Sequence, residues 1–492
     1  MAELEPTRPL LSARHARVRR LELLAFVAVA FILTYQLLLP PIVGMANNGD
    51  YPRIMGRFNI GFPPGAAEPG YRKFLIRKFD VSSSHRWISG FVTSQSLIVM
   101  MAVPLNNLLS KDGFFDIRSV GVANSLLLLL AVWLAILASR PWPWEVRLIV
   151  CLLSILFFTD VDYVAYFNSF YSEPASLVFF LLSWCLALLV ITKSPTGGVW
   201  WGWLLLSSSL FLLAKPQNVL AGLVLAAWFL RLGWIQSDSL RKGLGIAAAA
   251  LLLAVSAASF ALTPLPISQA AYHVAVFYEL LGHSPNPSSD LRELELDGSL
   301  VQYAGTHPWS AKAPTSGNPE FKKAFTSRFR WRRLLVFYLH HPGRLIQSLD
   351  RSARAALLRE NALGNFEQDA GNPPRARSRA FAVWSHLREQ YGPGHISSLA
   401  LFFAAYAVSL GWLWLRSRSV QRRLLIEFTL GTLIIMALQF LTIAVTSGTI
   451  DTRKHMYLFK AGVDVLLLAG ASGCAAGIRS WFGSKALIED RS

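Results

Sequence analysis

Residues 23–53 read LLAFVAVAFILTYQLLLPPIVGMANNGDYPR, an apolar run that ends in Asn47-Asn48-Gly49-Asp50. From Leu23 to Val43 the run is long enough to cross a hydrocarbon core of about 30 Å at about 1.5 Å per residue. A carboxylate a few residues beyond such a run sits at a membrane face.

The 492 residues are 53% hydrophobic and include 16 Trp and 31 Phe. Their apolar residues fall in charge-free runs of about 17–23 rather than in amphipathic periods, which is the pattern of a polytopic membrane protein. The formal charge of +18 gathers in short loops beside those runs, where the positive-inside bias and anionic lipid account for it. With no recognition motif present, nucleic acid is not an expected partner and membrane lipid is. Arg14, Arg17, Arg19 and Arg20 precede a run too long for a signal core and lacking a small-residue cleavage site, so an uncleaved first span is expected. Cys151, Cys185 and Cys474 lie in apolar runs without CxxC or Cys/His spacing. They read as core filler, not as a disulfide framework or zinc site.

Ten spans are expected, at about 23–43, 119–138, 146–164, 174–192, 198–213, 217–234, 243–263, 396–416, 424–446 and 456–478. With the N-terminus inside, the cytoplasmic connections carry Arg140 and Arg147, then Lys193, then Arg231, Arg241 and Lys242, then Arg416, Arg418, Arg422 and Arg423. The C-terminal tail, with Arg479 and Lys485, also ends inside. Counting Thr93–Leu109 as a span would put the basic residues on the wrong side, so it reads as a re-entrant or interfacial helix broken at Pro104.

The fold class is therefore all-α, a polytopic membrane helix bundle with both termini inside. It divides into an N-terminal transmembrane module (1–263) with a first external loop (44–118), an extracytoplasmic helical region (264–395) and a C-terminal transmembrane module (396–492). The large loop has amphipathic patterning at Gln269–Leu281, Pro319–Leu339, Gly343–Leu358 and Arg379–Gln390. The spans are nearly free of charge apart from Asp464 and Glu427.

Four polar motifs map to the external face. In Asn47-Asn48-Gly49-Asp50, Gly49 permits a turn that aims Asp50 at the bundle as a general base, or the segment simply caps a span. In Asp160-Val161-Asp162-Tyr163 and Tyr166-Phe167-Asn168-Ser169-Phe170-Tyr171-Ser172-Glu173-Pro174, the aromatics read as an interfacial belt. Glu173 there is either a helix-start carboxylate or a functional acid. Lys215-Pro216-Gln217-Asn218 places a cation against the topological bias, as a snorkelling lysine or an anion site at a helix start. Asp451-Thr452-Arg453-Lys454-His455, followed by Asp464, gathers cations for structural pairing with Asp451 or Glu173, or for a phosphate-bearing substrate. Carboxylates and cations together at membrane level suit transfer chemistry on an amphiphilic phosphate.

In the large loop, Arg328, Arg330, Arg332 and Arg333 precede Leu334–Leu339 and His340-His341-Pro342-Gly343-Arg344. They form either a solvated basic face or a helix lying on the bilayer. Arg344, Arg351 and Arg354 recur at spacings that allow one positive stripe. Adjacent histidines on a helix do not share a face, so His340-His341 is not a metal signature.

At Asn48-Gly49-Asp50-Tyr51, Phe167-Asn168-Ser169-Phe170-Tyr171-Ser172-Glu173, Lys215-Pro216-Gln217, His341-Pro342, Asp451, Lys454-His455 and Asp464 the chain resembles the GT-C membrane glycosyltransferases. The likeness is strongest to bacterial surface-glycan hexose transferases of the WsfD-like type. The resemblance implies a polyprenyl-phosphate-linked sugar as donor, a glycan or lipid acceptor, a site outside the bacterial plasma membrane, and Asp50 as the catalytic acid residue. Glu173 is a second catalytic candidate. Asn48, Asn168, Tyr171, Lys215, Gln217, Asp451, Arg453, Lys454 and His455 are the candidate substrate-binding residues. The paired acids of several such families are missing at Asp50, whose neighbours are Gly49 and Tyr51, so no metal or other cofactor is assigned. A transporter or flippase of lipid-linked glycans, and a polymerase or ligase of them, are the competing classes.

Overall fold

The computed structural model describes residues 8–65, 71–81, 91–193, 198–236, 238–314 and 318–489, with the side chains of 8–15, 193 and 478–489 excepted. The charge readings at Arg14, Lys193, Arg479 and Lys485 therefore lie outside the described side chains. Helices form along the apolar runs because hydrocarbon offers no partner to a backbone N–H or C=O, which must bond within its own segment. In chain order the main helices are α1 (Arg8–Leu38), α2 (Gln95–Leu109), α3 (Arg118–Ser139), α4 (Trp144–Phe158), α5 (Glu173–Lys193), α6 (Gly198–Ala214), α7 (Ala221–Trp234) and α8 (Ser239–Ala261). They continue with α9 (Leu265–His273), α10 (Trp331–His340), α11 (Pro342–Ala356), α12 (Val383–Tyr391), α13 (Ile396–Arg416), α14 (Val420–Thr446), α15 (Thr452–His455) and α16 (Tyr457–Glu489).

Seven of these are long and apolar enough to cross a membrane: α1, α3, α5, α8, α13, α14 and α16. α4 qualifies only together with Val161–Phe167, from which it is bent by 53°, while α6 and α7 are apolar but shorter. Each expected span thus has a helix, and the chain is a multi-pass helical membrane protein. The expected span 146–164 is broken because Asp160 caps a new helix, its carboxylate accepting from the Asp162 N–H at 2.9 Å.

Hydrogen bonds show which span ends lie together. Asn168 Nδ2 donates to Leu37 O and Val43 O, Gln217 Nε2 donates to His455 O, and Ser259 Oγ donates to Leu212 O. Joined by the Lys215–Glu173 pair, these gather the loops after α1, α4, α6, α8 and α14 at one end of the bundle. At the opposite end Glu22 pairs with Arg147 at 2.6 Å and Glu427 with Arg231 at 3.0 Å.

α2 lies across the first of these ends. Thr93 Oγ1 donates to Ala214 O, and Gln95 Oε1 accepts from the Ala175 N–H. Asn106 Oδ1 accepts from the Asp116 N–H and the Ser119 hydroxyl. Both ends of α2 are thereby tied to span ends on the same side. The expected break at Pro104 does not occur: the helix runs through it. Losing one internal hydrogen bond is outweighed by the burial of Ile98, Val99 and Ala102 on the inner face. A small antiparallel sheet of β1 (Ile60–Gly61), β2 (Lys78–Val81) and β3 (Phe115–Asp116) completes the first loop, an addition to the all-α expectation.

Most core residues form one cluster through the bundle. A second cluster joins Phe277, Leu291, Phe325, Phe329, Leu334 and Phe337 within the large loop. The expected helix Pro319–Leu339 is split there. A widened π-helical turn at Lys322–Thr326 and an extended Arg330 bring both Phe325 and Phe329 into that core.

Three further expectations are corrected. Arg344, Arg351 and Arg354 do not form a free positive stripe, because each meets an acid: Asp290 at 2.7 Å, Glu279 at 2.5 Å and Asp350 at 2.9 Å. Cys474 is exposed, unlike the buried Cys151 and Cys185. The helices carry more charge than expected: Lys460 in α16 is buried and pairs with Asp162 at 2.6 Å, and Glu22 in α1 and Arg147 in α4 are buried as a pair.

Candidate functional site

The site grows from the turn after α1. Asn47 Oδ1 accepts from the Gly49 N–H at 2.8 Å and the Tyr51 N–H at 3.2 Å. Gly49 sits at φ +100, which a side chain would resist. The closed turn presents Asp50, as its glycine suggested. Tyr171 holds it from below: its hydroxyl accepts from the Asn48 N–H at 2.8 Å and donates to Ala46 O at 2.7 Å.

The aromatics expected to form an interfacial belt are instead buried. Tyr163, Tyr166, Phe167, Phe170 and Tyr171 are at most 2% exposed, and Tyr51 packs edge-on against both Phe170 and Tyr171. Each such ring removes about 150–250 Å² from solvent. The polar cluster thus stands on an aromatic floor.

On the other side, the loop after α14 reaches in. Asp451 adopts a left-handed backbone at φ 50, and the short α15 follows it. Lys454 forms an ion pair with Asp50 and lies 4.3 Å over the Tyr171 ring. Arg53 pairs with the other Asp50 oxygen at 2.8 Å. With the Asn48 amide turned so that Nδ2 faces Asp50 (3.2 Å) and the Tyr171 hydroxyl (3.1 Å), its Oδ1 accepts from Lys454 at 3.0 Å.

Beside this lies the second pair, Lys215 with Glu173 at 2.9 Å. Glu173 opens α5, so its role at a helix start and its pairing with Lys215 coexist. Asp451 is 3.7 Å from Arg72. The expected structural pairing of Lys454 with Asp451 or Glu173 is therefore replaced by the Asp50 pair. Arg453 has no ion-pair partner among the described residues. Around the cluster the cations Arg53, Arg72, Lys215 and Lys454 outnumber the carboxylates Asp50, Glu173 and Asp451, and Arg453 precedes Lys454 in α15.

The electrostatics follow from this geometry. Burial pushes the Asp50 carboxyl up, but Lys454 and Arg53 beside it prevail and hold it well below the usual carboxylate range. The stability gained from that pairing is complete above about pH 4 and is lost as pH falls through the lowered value. Burial likewise pushes Lys454 down, and Asp50, Glu173 and Asp451 more than restore it. His455 is pushed down to about 3 by burial and by Lys215 and Lys454. That shift favours the neutral imidazole, and its Nδ1 has no hydrogen-bond partner among the described residues.

Not every candidate joins the cluster. Asn168 is 0% exposed and spends its amide on the backbone of Leu37 and Val43, so it anchors the first loop. Gln217 bridges His455 O and Gln439 and so positions α15. Asp464 lies one step deeper, accepting from the Tyr163 hydroxyl at 2.5 Å and from Arg388 at 3.2 Å.

Arg388 on α12 is the residue that sequence patterning did not single out. Its side chain, 3% exposed, bridges Asp162 and Asp464, and Lys460 shares Asp162. A lysine within an apolar span was its one available signal. Arg53 and Arg72 were also missed, because loop arginines carry no pattern. Among the described residues no three of His, Cys, Asp or Glu gather in a way that could hold a metal ion.

The family described as the YfdI N-terminal transmembrane domain matches residues 12–485. No curated protein matches the chain. Among solved structures, the apo oligosaccharyltransferase of Archaeoglobus fulgidus is similar over 96% of this chain and 52% of its own, with 13% identity and a TM-score of 0.43. The archaeal oligosaccharyltransferase AglB from Archaeoglobus fulgidus, in complex with an inhibitory peptide and a dolichol-phosphate, is similar over 95% and 52%, with 12% identity and a TM-score of 0.41. The chain spans about half the length of these solved structures.

Proposed function

The chain belongs to the family of the YfdI N-terminal transmembrane domain, and from that premise we propose that it is a membrane glycosyltransferase of the GT-C kind. It moves a sugar from a polyprenyl phosphate to a glycan or lipid acceptor on the extracytoplasmic side. The observation that carries this reading is the placing of two carboxylate–lysine pairs, Asp50 with Lys454 and Glu173 with Lys215, at one end of a membrane bundle with cations in excess.

In the proposed reaction Asp50 takes the proton of an acceptor hydroxyl as that oxygen bonds to the anomeric carbon of the sugar. The bond from that carbon to the phosphate oxygen breaks, and the lipid phosphate leaves with the electron pair. Lys215, Arg453 and Lys454 offset its charge, and direct displacement inverts the anomeric centre. Glu173 holds Lys215 and orients the acceptor. An Asp50 paired with an ammonium is a weak base. A donor phosphate that draws Lys454 away removes the partner and raises the basicity of Asp50 only when donor is bound.

This coupling makes a prediction about pH. In Lys454→Met the burial that pushes Asp50 up persists while its main opposing cation is gone. The acid limb of kcat/KM is therefore expected to move upward by about one unit or more. An unmoved limb in the pH–rate profile would show that Lys454 does not control the base.

The function itself is tested with purified protein, radiolabelled polyprenyl-phosphate sugars and a membrane lipid extract. Label is expected in a new covalent product. Movement of label across liposomes with no bond formed would favour the transporter reading. That alternative calls for unpaired charges deep in several spans, whereas Lys460 is locked to Asp162 beneath the site, and Glu22 with Arg147 and Glu427 with Arg231 are paired at the other end.

A further inference from the structure

We infer that the basic concavity formed by Arg328, Arg330 and Arg333, together with the outward face of α10, is a binding site for an anionic membrane lipid. Through it the 264–395 segment rests on the bilayer. The inference does not depend on the transfer reaction.

α10 has two apolar faces. Leu334, Phe337 and Tyr338 are buried in the loop's own core. On the opposite face Leu335 and Leu339 are 61% and 69% exposed, and on the following helix α11 Ile346 is 56% exposed. Large apolar side chains left this exposed one turn apart on a helix mark an interaction surface. At the entry to this helix lies a concavity of about 400 Å³ lined by Arg328, Arg330, Arg333, Ser327 and Glu295. Arg330 is held in place by donating to Ser327 O and Phe329 O, and Arg333 by Glu295 and Arg328 O. Glu295 is the one carboxylate among the lining residues, and Arg328 forms no ion pair among the described residues, although its charge reaches the exposed Asp297.

The occupant follows from position and charge. α9 begins four residues after α8 ends, and Phe260, Leu262 and Leu265 around that junction are all more than half exposed. Its start is thus at the hydrocarbon edge. α9 has nine residues, a length of about 13 Å, and near its far end Tyr272 packs against Trp331, the first residue of α10, at 5.4 Å. The arginines therefore lie at headgroup depth. Guanidinium groups suit phosphate oxygens, and the apolar row beside them suits chain ends.

The test uses a variant with the native cysteines replaced and a nitroxide at Leu339→Cys or, as a reference in the same segment, Ser299→Cys. Each is placed in nanodiscs of phosphatidylcholine with or without phosphatidylglycerol. The ratio of oxygen to nickel-chelate collisions at position 339 is expected to exceed that at 299 several-fold and to rise with phosphatidylglycerol. Arg328→Gln with Arg330→Gln should abolish that rise, since each arginine near an anionic surface contributes about fivefold in binding. Equal ratios at the two positions would overturn the inference. So would spin–spin broadening between two copies, or a lipid response erased by inorganic phosphate, which would assign the concavity to a soluble anion.

Discussion

Replacing Asp50 by asparagine is expected to lower sugar transfer by about 10²–10⁴-fold, the usual contribution of a positioned general base. The amide keeps the size and hydrogen-bonding reach of the carboxylate but cannot take a proton from the acceptor hydroxyl. Because Lys454 is only 3% exposed in its side chain, the variant also leaves a buried ammonium facing a neutral group, which costs stability. Activity is therefore compared at a temperature where both proteins elute as one species, and with Asp50→Asn/Lys454→Met, which removes both charges. A folded double variant that transfers far less than Lys454→Met alone, which already lacks the phosphate-facing cation, would point to the base and not to a stranded lysine. Transfer at the wild-type rate in Asp50→Asn would remove Asp50 from the chemistry.

The largest loss of stability is expected from Arg388→Met. The guanidinium lies between Asp162 and Asp464, with all three side chains at most 3% exposed. Removing it leaves Asp464 with the Tyr163 hydroxyl and Asp162 with Lys460. Breaking a buried pair from one side costs about 3–5 kcal/mol, because the remaining charge keeps its desolvation penalty. Thermal unfolding in detergent should show a marked fall in midpoint. Arg388→Met/Asp464→Asn should recover part of it, since two coupled neighbours do not add. If the single variant unfolded at the wild-type temperature, the network would not be what fastens α12 to the bundle.

The same residues show how far the sequence could be read. The apolar runs located the helices, because only a helix satisfies its own backbone in hydrocarbon. The interruption at Asp160 escaped because a cap depends on where a carboxylate points, not on composition. The alternation of basic gaps brought Asp50, Glu173, Lys215 and Asp451 to one face without any structure. It did not say which acid meets which cation: Lys454 and Asp50 are 404 residues apart, and Arg72 comes from a loop with no periodicity. The tyrosines near Glu173 were read as a membrane belt because their composition fits one. Burial against Tyr51 and its neighbours is a tertiary fact.

By itself, then, the sequence determined a multi-pass bundle and the end of it on which Asp50, Glu173, Lys215 and Lys454 gather. Hydropathy and charge bias act on each segment independently, so they can be read segment by segment. Tertiary structure decided the pairings, the aromatic floor, the Arg388 network and the neutralisation of Arg344, Arg351 and Arg354. Those depend on distances between residues far apart in the chain, and an ion pair buried out of water is set by its few nearest neighbours.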